Sequence, residues 1–148
     1  MKNPTWKKVE DQVRDLLQEL SDTHKGFAFH RYPDSRAAGG HLAKQPSDFL
    51  ACSLTTHGVS LHWHIEAKET AYDNRVPKNK IRQYGMLKKF YWAGVIPLVV
   101  IKRSTVGDYM VLTASELFAA EECPPSFPLT GLKSFPTAQA ALMEYLKV

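Results

Sequence analysis

Between residues 59 and 68, apolar and polar side chains alternate along the chain. The apolar positions are Val59, Leu61, Trp63, Ile65 and Ala67. The polar positions are Ser60, His62, His64, Glu66 and Lys68. A period of two is typical of a half-buried strand. The pattern therefore predicts a strand whose polar face directs the carboxylate of Glu66 and the ammonium of Lys68 to the same side.

Other periodicities predict the remaining helices and strands. A helical stripe indicates a helix over residues 5–20, and β-type runs indicate strands at 27–32, 49–54 and 59–68, with 73–78 as a loop. We then expect a helix over 80–93 ended by Gly94, strands over 96–101 and 109–112, and two helices after Thr113 and Thr137, the second reaching Leu146. This order predicts an α/β sandwich with a mixed central sheet.

Composition favours a folded domain with a polyanionic partner. Of the 148 residues 44% are hydrophobic and 23% charged, and the net charge is +4. We expect one domain, residues 1–148, with a loop or short stalk at 34–46 and a C-terminal helical extension at 114–148. Cys52 and Cys123 lack zinc or disulfide spacing, which indicates reduced thiols in a cytoplasmic protein. The longest apolar stretch, 93–101, is too short to cross a membrane.

Asp48 begins the strand that precedes Glu66 in the predicted hairpin. An antiparallel hairpin sets the start of one strand against the end of the next, so Asp48 and Glu66 can meet. Two adjacent carboxylates resist joint ionisation unless a cation lies between them, and oxygen ligands suit Mg²⁺ or Mn²⁺. The carbonyl of Ala67 is a further candidate ligand, and Lys68 could position a water or stabilise charge. The alternative is an ordinary exposed Glu–Lys pair.

The motif Pro46-Ser47-Asp48 followed by Glu66-Ala67-Lys68 resembles the signature of PD-(D/E)XK nucleases. More narrowly, the chain resembles the RecU family of Holliday junction resolvases over about residues 10–101. The matching segments are residues 32–38 and 65–70, Gln83, and Gly94-Val95-Ile96. The resemblance implies a restriction-endonuclease-like core, a mixed central sheet flanked by helices.

The same resemblance implies a homodimer whose subunits nick opposed strands of a four-way junction with Mg²⁺. It makes Asp48 and Glu66 metal ligands, Lys68 the catalytic lysine, and Gln83 a helix glutamine near the site. One segment departs from the family, because residues 34–45 are shorter than the family's projection into the junction. Within this segment, the candidates for contact with the DNA backbone are Arg36, His41 and Lys44.

A further acid from the first helix is expected beside the metal. At about 100° per residue, Glu10 lies at the edge of the buried stripe, whereas Asp11, Asp15 and Glu19 point to solvent. Glu10 is therefore the candidate ligand, and the resemblance also places an acid there. The alternative role for Glu10 is a salt bridge at the boundary of the core.

Basic side chains are candidates for contacts with DNA phosphates. They are Arg31, Arg36, Lys44, Arg75, Lys78, Lys80, Arg82 and Lys88. The alternative for the later ones is a solvated helix face. His62 and His64 are expected to line the groove or contact the DNA backbone, with a transition-metal site as the alternative. Trp6, Trp63 and Trp92 fall on apolar stripes, so we expect them in the core.

The sequence therefore predicts a metal-dependent endonuclease that resolves four-way DNA junctions by paired, symmetric nicks in recombination or repair. Two alternatives stay open. One is a less selective structure-specific or duplex endonuclease, and the other is a non-catalytic DNA-binding protein with a nuclease fold. The intact set of Asp48, Glu66 and Lys68 argues against the second alternative, because pure binding needs no metal ligands.

Overall fold

A mixed sheet runs through the centre of the fold. The computed structural model describes residues 8–33, 45 and 47–146. The strands are β1 (Phe27–Arg31), β2 (Phe49–Leu54), β3 (Ser60–Thr70), β4 (Arg75–Pro77), β5 (Val95–Arg103), β6 (Asp108–Leu112) and β7 (Ser126–Pro128). The α-helices are α1 (Val9–Thr23), α2 (Tyr84–Trp92), α3 (Ala114–Leu117) and α4 (Ala138–Met143), and a 3₁₀ turn spans Lys78–Lys80.

The central sheet has five strands in the order β1-β2-β3-β5-β6. The β3–β5 pair is parallel, and the other three pairs are antiparallel. A parallel pair needs a crossover connection, which here includes α2. The β2–β3 hairpin turns at Gly58, whose φ of 80° is a conformation that glycine adopts without a steric penalty. The predicted fold class, a mixed central sheet flanked by helices, is confirmed.

Helices cover both faces of this sheet. One core joins α1 and α4 to alternate residues of the central strands, including Leu98 and Val100 of β5. The other joins α2, α3, β4 and β7 to the opposite face, including Val99 and Ile101. Among the residues that the structure describes, no helix combines the length and hydropathy needed to span a bilayer. Both cysteines are free, and the single-domain organisation stays a prediction.

Several predicted boundaries differ from those in the structure. The first helix continues to Thr23. The helix expected over 80–93 begins only at Tyr84, because Ile81 has non-helical backbone angles after the 3₁₀ turn. The last helix is capped as predicted, since the Thr137 side chain accepts a hydrogen bond from Ala140 N, but it stops at Met143. Residues 5–7 of the first predicted helix lie outside the described residues.

The expected loop over 73–78 contains a strand instead. Residues Arg75–Pro77 pair with Ser126–Pro128 in a separate two-stranded sheet. The second partner lies in the proline-broken stretch that we expected to be part of a helical extension. A two-stranded sheet has an open edge on each strand, so proline is tolerated there. Such long-range pairing leaves no periodic signal in the sequence of either strand.

Trp92 lies on the surface, so its predicted core position is wrong. Its side chain is 74% exposed, whereas Trp63 is 3% exposed as expected. The cause is that α2 ends at Trp92, where the indole lies beside Lys88, whose Nζ is 5.6 Å from the ring centroid. Tyr91 is also largely exposed and rests on Phe118. Trp6 lies outside the described residues.

Candidate active site

The β2–β3 hairpin places Asp48 beside the middle of β3. Phe49 is paired with Ile65, so the chain before Phe49 runs alongside Glu66 and Ala67. The amide of Ala67 donates a hydrogen bond of 2.9 Å to Asp48 Oδ2. On the other side, Tyr32 N donates to the carbonyl oxygen of Asp48 at 2.9 Å. These bonds hold the carboxylate of Asp48 toward β3.

Glu66 is wholly inaccessible to solvent, because β3 is buried on both faces from Trp63 to Ala67. Its Oε1 lies 2.9 Å from Nζ of Lys68. Within the described part of the chain, neither Glu66 oxygen has a hydrogen-bond partner of good geometry. The half-buried strand predicted here is therefore a buried one, and Lys68 provides the adjacent countercharge.

The two carboxyl groups perturb each other. Burial and, after it, the charge of Asp48 raise the pKa of Glu66 to about 8 against the opposing effect of Lys68. The pKa of Asp48 is also raised, mainly by burial, although the hydrogen bond from Ala67 opposes that shift. At neutral pH and without a cation, the pair therefore retains a proton. The predicted meeting of Asp48 and Glu66 is present in the structure.

A cleft of about 530 Å³ opens next to this pair. Its lining comes from the start of α1, the end of β3 and the segment before α2: Lys8, Val9, Glu10, Ala67, Lys68, Glu69, Asn79, Lys80, Arg82 and Gln83. Lys68 lines the cleft and also contacts Glu66, so it connects the buried Glu66 carboxyl group with the open surface. Lys8 and Asn79 had no signal in the sequence, because neither belongs to a motif or a periodic pattern.

Glu10 and Gln83 both reach this cleft. The carboxylate of Glu10 accepts hydrogen bonds from Arg31 at 2.8 and 3.2 Å, and its charge contributes to the raised pKa of Asp48. Glu10 thus faces the site and also forms the boundary ion pair that was its alternative role. Gln83 lies immediately before α2, and within the described residues its buried Oε1 has no hydrogen-bond partner.

The donor set fits a hard divalent cation. Asp48 and Glu66 offer carboxylate oxygens, and those of Glu66 are buried beside the ammonium of Lys68, 2.9 Å from Oε1. Across residues 8–33, 45 and 47–146, no group of three or more His, Cys, Asp or Glu side chains could hold a metal ion. Mg²⁺ needs only one or two protein carboxylates because it keeps several of its waters. The residues present therefore fit Mg²⁺ or Mn²⁺.

The expected groove position is wrong for His64. Its ring is 3% exposed and packs edge-on against Phe90 and Tyr32, with centroids 4.8 and 6.3 Å away. Burial lowers its pKa to about 4, so the ring is neutral. The physical reason is that α2 covers this part of β3. His62 is exposed, and no transition-metal cluster joins the two histidines within the described residues.

The predicted DNA contacts occupy different environments. Lys80 and Arg82 line the cleft, Lys78 is exposed in the 3₁₀ turn, and Lys88 donates a hydrogen bond to the Glu121 carbonyl at 2.6 Å. Arg31 is engaged by Glu10. The guanidinium of Arg75 stacks on the ring of Tyr72, an arrangement without a sequence signal. Pro46, Arg36, His41 and Lys44 lie outside the described residues.

Comparison with known proteins adds a limited similarity in fold. No protein-family model and no curated protein sequence matches the chain. Among solved structures, it is similar to Hjc of Archaeoglobus fulgidus, described as a Holliday junction resolvase from an archaeal hyperthermophile. The identity is 20%, the match covers 80% of this chain and 85% of that chain, and the TM-score is 0.46. Values this low assign neither family nor activity.

Proposed function

We propose that the protein is a metal-dependent endonuclease that hydrolyses phosphodiester bonds in DNA. The observation that supports this most is the carboxyl pair formed by the partly buried Asp48 and the buried Glu66, with Lys68 in contact with Glu66 and lining a cleft. Burying the Glu66 carboxyl group costs folding free energy that one partly exposed lysine only partly offsets. A divalent cation bound between the two carboxylates would offset that cost.

Each residue of the site has a distinct role in this proposal. Asp48 and Glu66 would hold Mg²⁺ or Mn²⁺, with the carbonyl of Ala67 as a further candidate ligand. When bound, such an ion lowers the pKa of water and neutralises charge on the phosphate. As an ammonium, Lys68 would orient the attacking water or stabilise the charge that develops on the phosphate, and only as the neutral amine would it help to deprotonate that water. Glu10 and Gln83 face the same space from α1 and from the start of α2.

The charges around the cleft fit a DNA strand. Lys8, Lys80 and Arg82 line it, and none of them forms an ion pair with another described residue. Cationic side chains that contact phosphates bind many sequences and lose affinity as salt rises. We therefore expect binding without strong preference for a base sequence.

For the substrate we propose a four-way junction, cut in recombination or repair. The resemblance of the Glu66-Ala67-Lys68 motif and its surroundings to RecU-type resolvases supports this choice. Paired, symmetric nicks need two active sites, so the proposal includes a homodimer. A gel-filtration mass equal to one 16.7 kDa chain under cutting conditions would contradict the dimer.

Cleavage of defined DNAs by the purified protein in Mg²⁺ tests the substrate. We expect symmetric paired nicks in a synthetic four-way junction, while a linear duplex of the same sequence stays largely uncut. Equal cutting of both DNAs would identify a less selective endonuclease and overturn the resolvase proposal. Binding without any cutting, in Mg²⁺ or Mn²⁺, would identify a non-catalytic DNA-binding protein.

A further inference from the structure

A short excursion of the chain begins and ends at the rim of the cleft. Glu69 and Asn79 both line the cleft, and the nine residues between them lead away from it and back. This excursion contains β4, which is held by pairing with β7 on the neighbouring surface. Side chains displayed by the excursion therefore lie next to the opening of the candidate active site.

The backbone of this excursion is firmly held. Thr70 is fully buried, and its Oγ1 donates to the carbonyl of Arg75 at 2.9 Å and accepts from Tyr72 N at 3.3 Å. Two further hydrogen bonds are Arg103 Nη1 to Asp73 O at 2.6 Å and Leu129 N to Asn74 O at 2.8 Å. A surface loop of this length with four such anchors presents its side chains in a fixed position.

Two of those side chains form an exposed stack. The Cζ atom of Arg75 lies 3.9 Å from the centroid of the Tyr72 ring, and Tyr72 is 44% exposed. The Arg75 side chain has no ion-pair partner among the described residues. A stacked guanidinium keeps its second face and its N–H donors free for another group. The pair thus offers a flat, positively charged surface.

The stack lies within reach of DNA bound in the cleft. Tyr72 follows Lys68 by four residues, so their Cα atoms are at most about 14 Å apart. Stacked nucleotides rise about 3.4 Å each along a strand, so this distance spans roughly four nucleotides. A nucleotide held on the stack would therefore be close to the phosphate that is cut.

We propose that the Tyr72–Arg75 stack binds an unpaired base beside the cleavage site and thereby favours branched or locally melted DNA over continuous duplex. An unpaired base has a free aromatic face, and such bases stack on aromatic rings and on arginine guanidinium planes. In continuous duplex those faces are already covered by neighbouring base pairs. This inference rests on the proposed endonuclease function, since it gives that site a determinant of substrate shape.

Binding to fluorescent DNA tests the stack separately from cleavage. In a Lys68→Ala background with Mg²⁺, we would titrate a four-way junction that carries 2-aminopurine near the crossover, and a linear duplex of the same sequence. We expect Tyr72→Leu and Arg75→Lys each to weaken junction binding about tenfold and to abolish the fluorescence change on binding. Duplex affinity should stay within about twofold, because Arg75→Lys keeps the charge and loses only the plane.

Two further variants complete the test. Tyr72→Phe keeps the ring and should preserve the fluorescence change, and Lys25→Gln removes an exposed charge in the turn before β1 and should leave it unaltered. If Tyr72→Leu and Arg75→Lys bind both DNAs as the parent does, or weaken both equally, the inference is wrong. Cutting of the junction by the unaltered protein would leave the proposed function standing in that case. If the unaltered protein cuts no DNA, both proposals fall.

Discussion

The carboxylate of Glu66 and the ammonium of Lys68 are 2.9 Å apart, although Glu66 is 0% exposed and Lys68 is 24% exposed. Ion pairs at a protein surface contribute little, and buried ones rarely repay the free energy of desolvation. This ion pair is half of each kind, because Glu66 is buried in the sheet and Lys68 lines an open cleft. That geometry favours a role in chemistry over a role in stability.

Substitution of either partner should abolish cleavage while DNA binding persists. In the proposed mechanism, Glu66→Gln removes a charge that would hold the metal, and Lys68→Ala removes the group that would act on water or the phosphate. We expect each to lower the rate of junction cleavage by at least about 100-fold, measured by single-turnover assays, with junction affinity within about threefold in gel-shift titrations. Glu19→Gln, on the exposed face of α1, is the matched control. Normal cutting by either site variant would show that the active-site assignment is wrong.

Local patterns in the sequence were sufficient to predict the centre of this fold and the pairing at its site. Alternation placed β3 nearly at its true bounds, and the turn at Gly58 determined the hairpin that brings Asp48 to Glu66. Helical periodicity likewise identified Glu10 at the boundary of α1, where it faces the cleft. These features depend on contacts between neighbours in sequence or across one tight turn.

The features that sequence reasoning missed depend on distant partners. His64 is one of the polar residues of the alternating pattern in β3, which predicted an exposed side chain. In the structure, Phe90 of α2 covers it, so the side chain is buried. Strand β4 exists because β7 pairs with it from about 50 residues away. The Tyr72–Arg75 stack follows from that pairing and from the buried hydroxyl of Thr70.

The role of Glu10 can be separated from that of its neighbours on α1. If Glu10 assists the metal site, Glu10→Gln should weaken Mg²⁺ binding about tenfold, measured by calorimetric titration of the metal. Glu19→Gln, two and a half turns further along the same helix, should leave the affinity unchanged. Equal Mg²⁺ affinities for both variants would mean that Glu10 only forms the boundary ion pair with Arg31.

The two described tryptophans should differ sharply in their effect on stability. Trp63 is buried and its Nε1 donates to Ser53 Oγ at 3.3 Å, so Trp63→Ala should lower the free energy of unfolding by about 3–5 kcal/mol. Trp92→Ala should change it by less than about 0.5 kcal/mol, because the indole is 74% exposed. Urea denaturation followed by far-ultraviolet circular dichroism measures both. Similar losses for the two variants would mean that Trp92 is covered in solution, for example by a second subunit.

Without divalent metal, the stability of the protein should fall as pH rises above neutrality. The pKa of Glu66 is about 8 in the folded state against an ordinary value of 4.5, so between these values the folded state binds the extra proton. The free energy of unfolding therefore decreases with pH across that window, by up to about 1.4 kcal/mol per pH unit. His64 acts oppositely between its folded pKa of about 4 and its ordinary pKa of 6.5, because there the unfolded state binds the proton. The two slopes offset each other below pH 6.5, and the decrease should emerge between 6.5 and 8.

Denaturation in EDTA at pH 6.5, 7.2 and 8 measures this slope. We expect a total loss of up to about 2 kcal/mol over the range, and Glu66→Gln should remove the loss because the amide does not titrate. Saturating Mg²⁺ should stabilise the protein more at pH 8 than at 6.5, because the metal must displace the proton shared by Asp48 and Glu66 at the lower pH. In a second comparison, His64→Leu removes the opposing slope, so its stability in EDTA should already decline between pH 5 and 6.5. If the free energy of unfolding of Glu66→Gln still falls with pH as in the unaltered protein, another group titrates, and Asp48 and Glu66 do not share the proton.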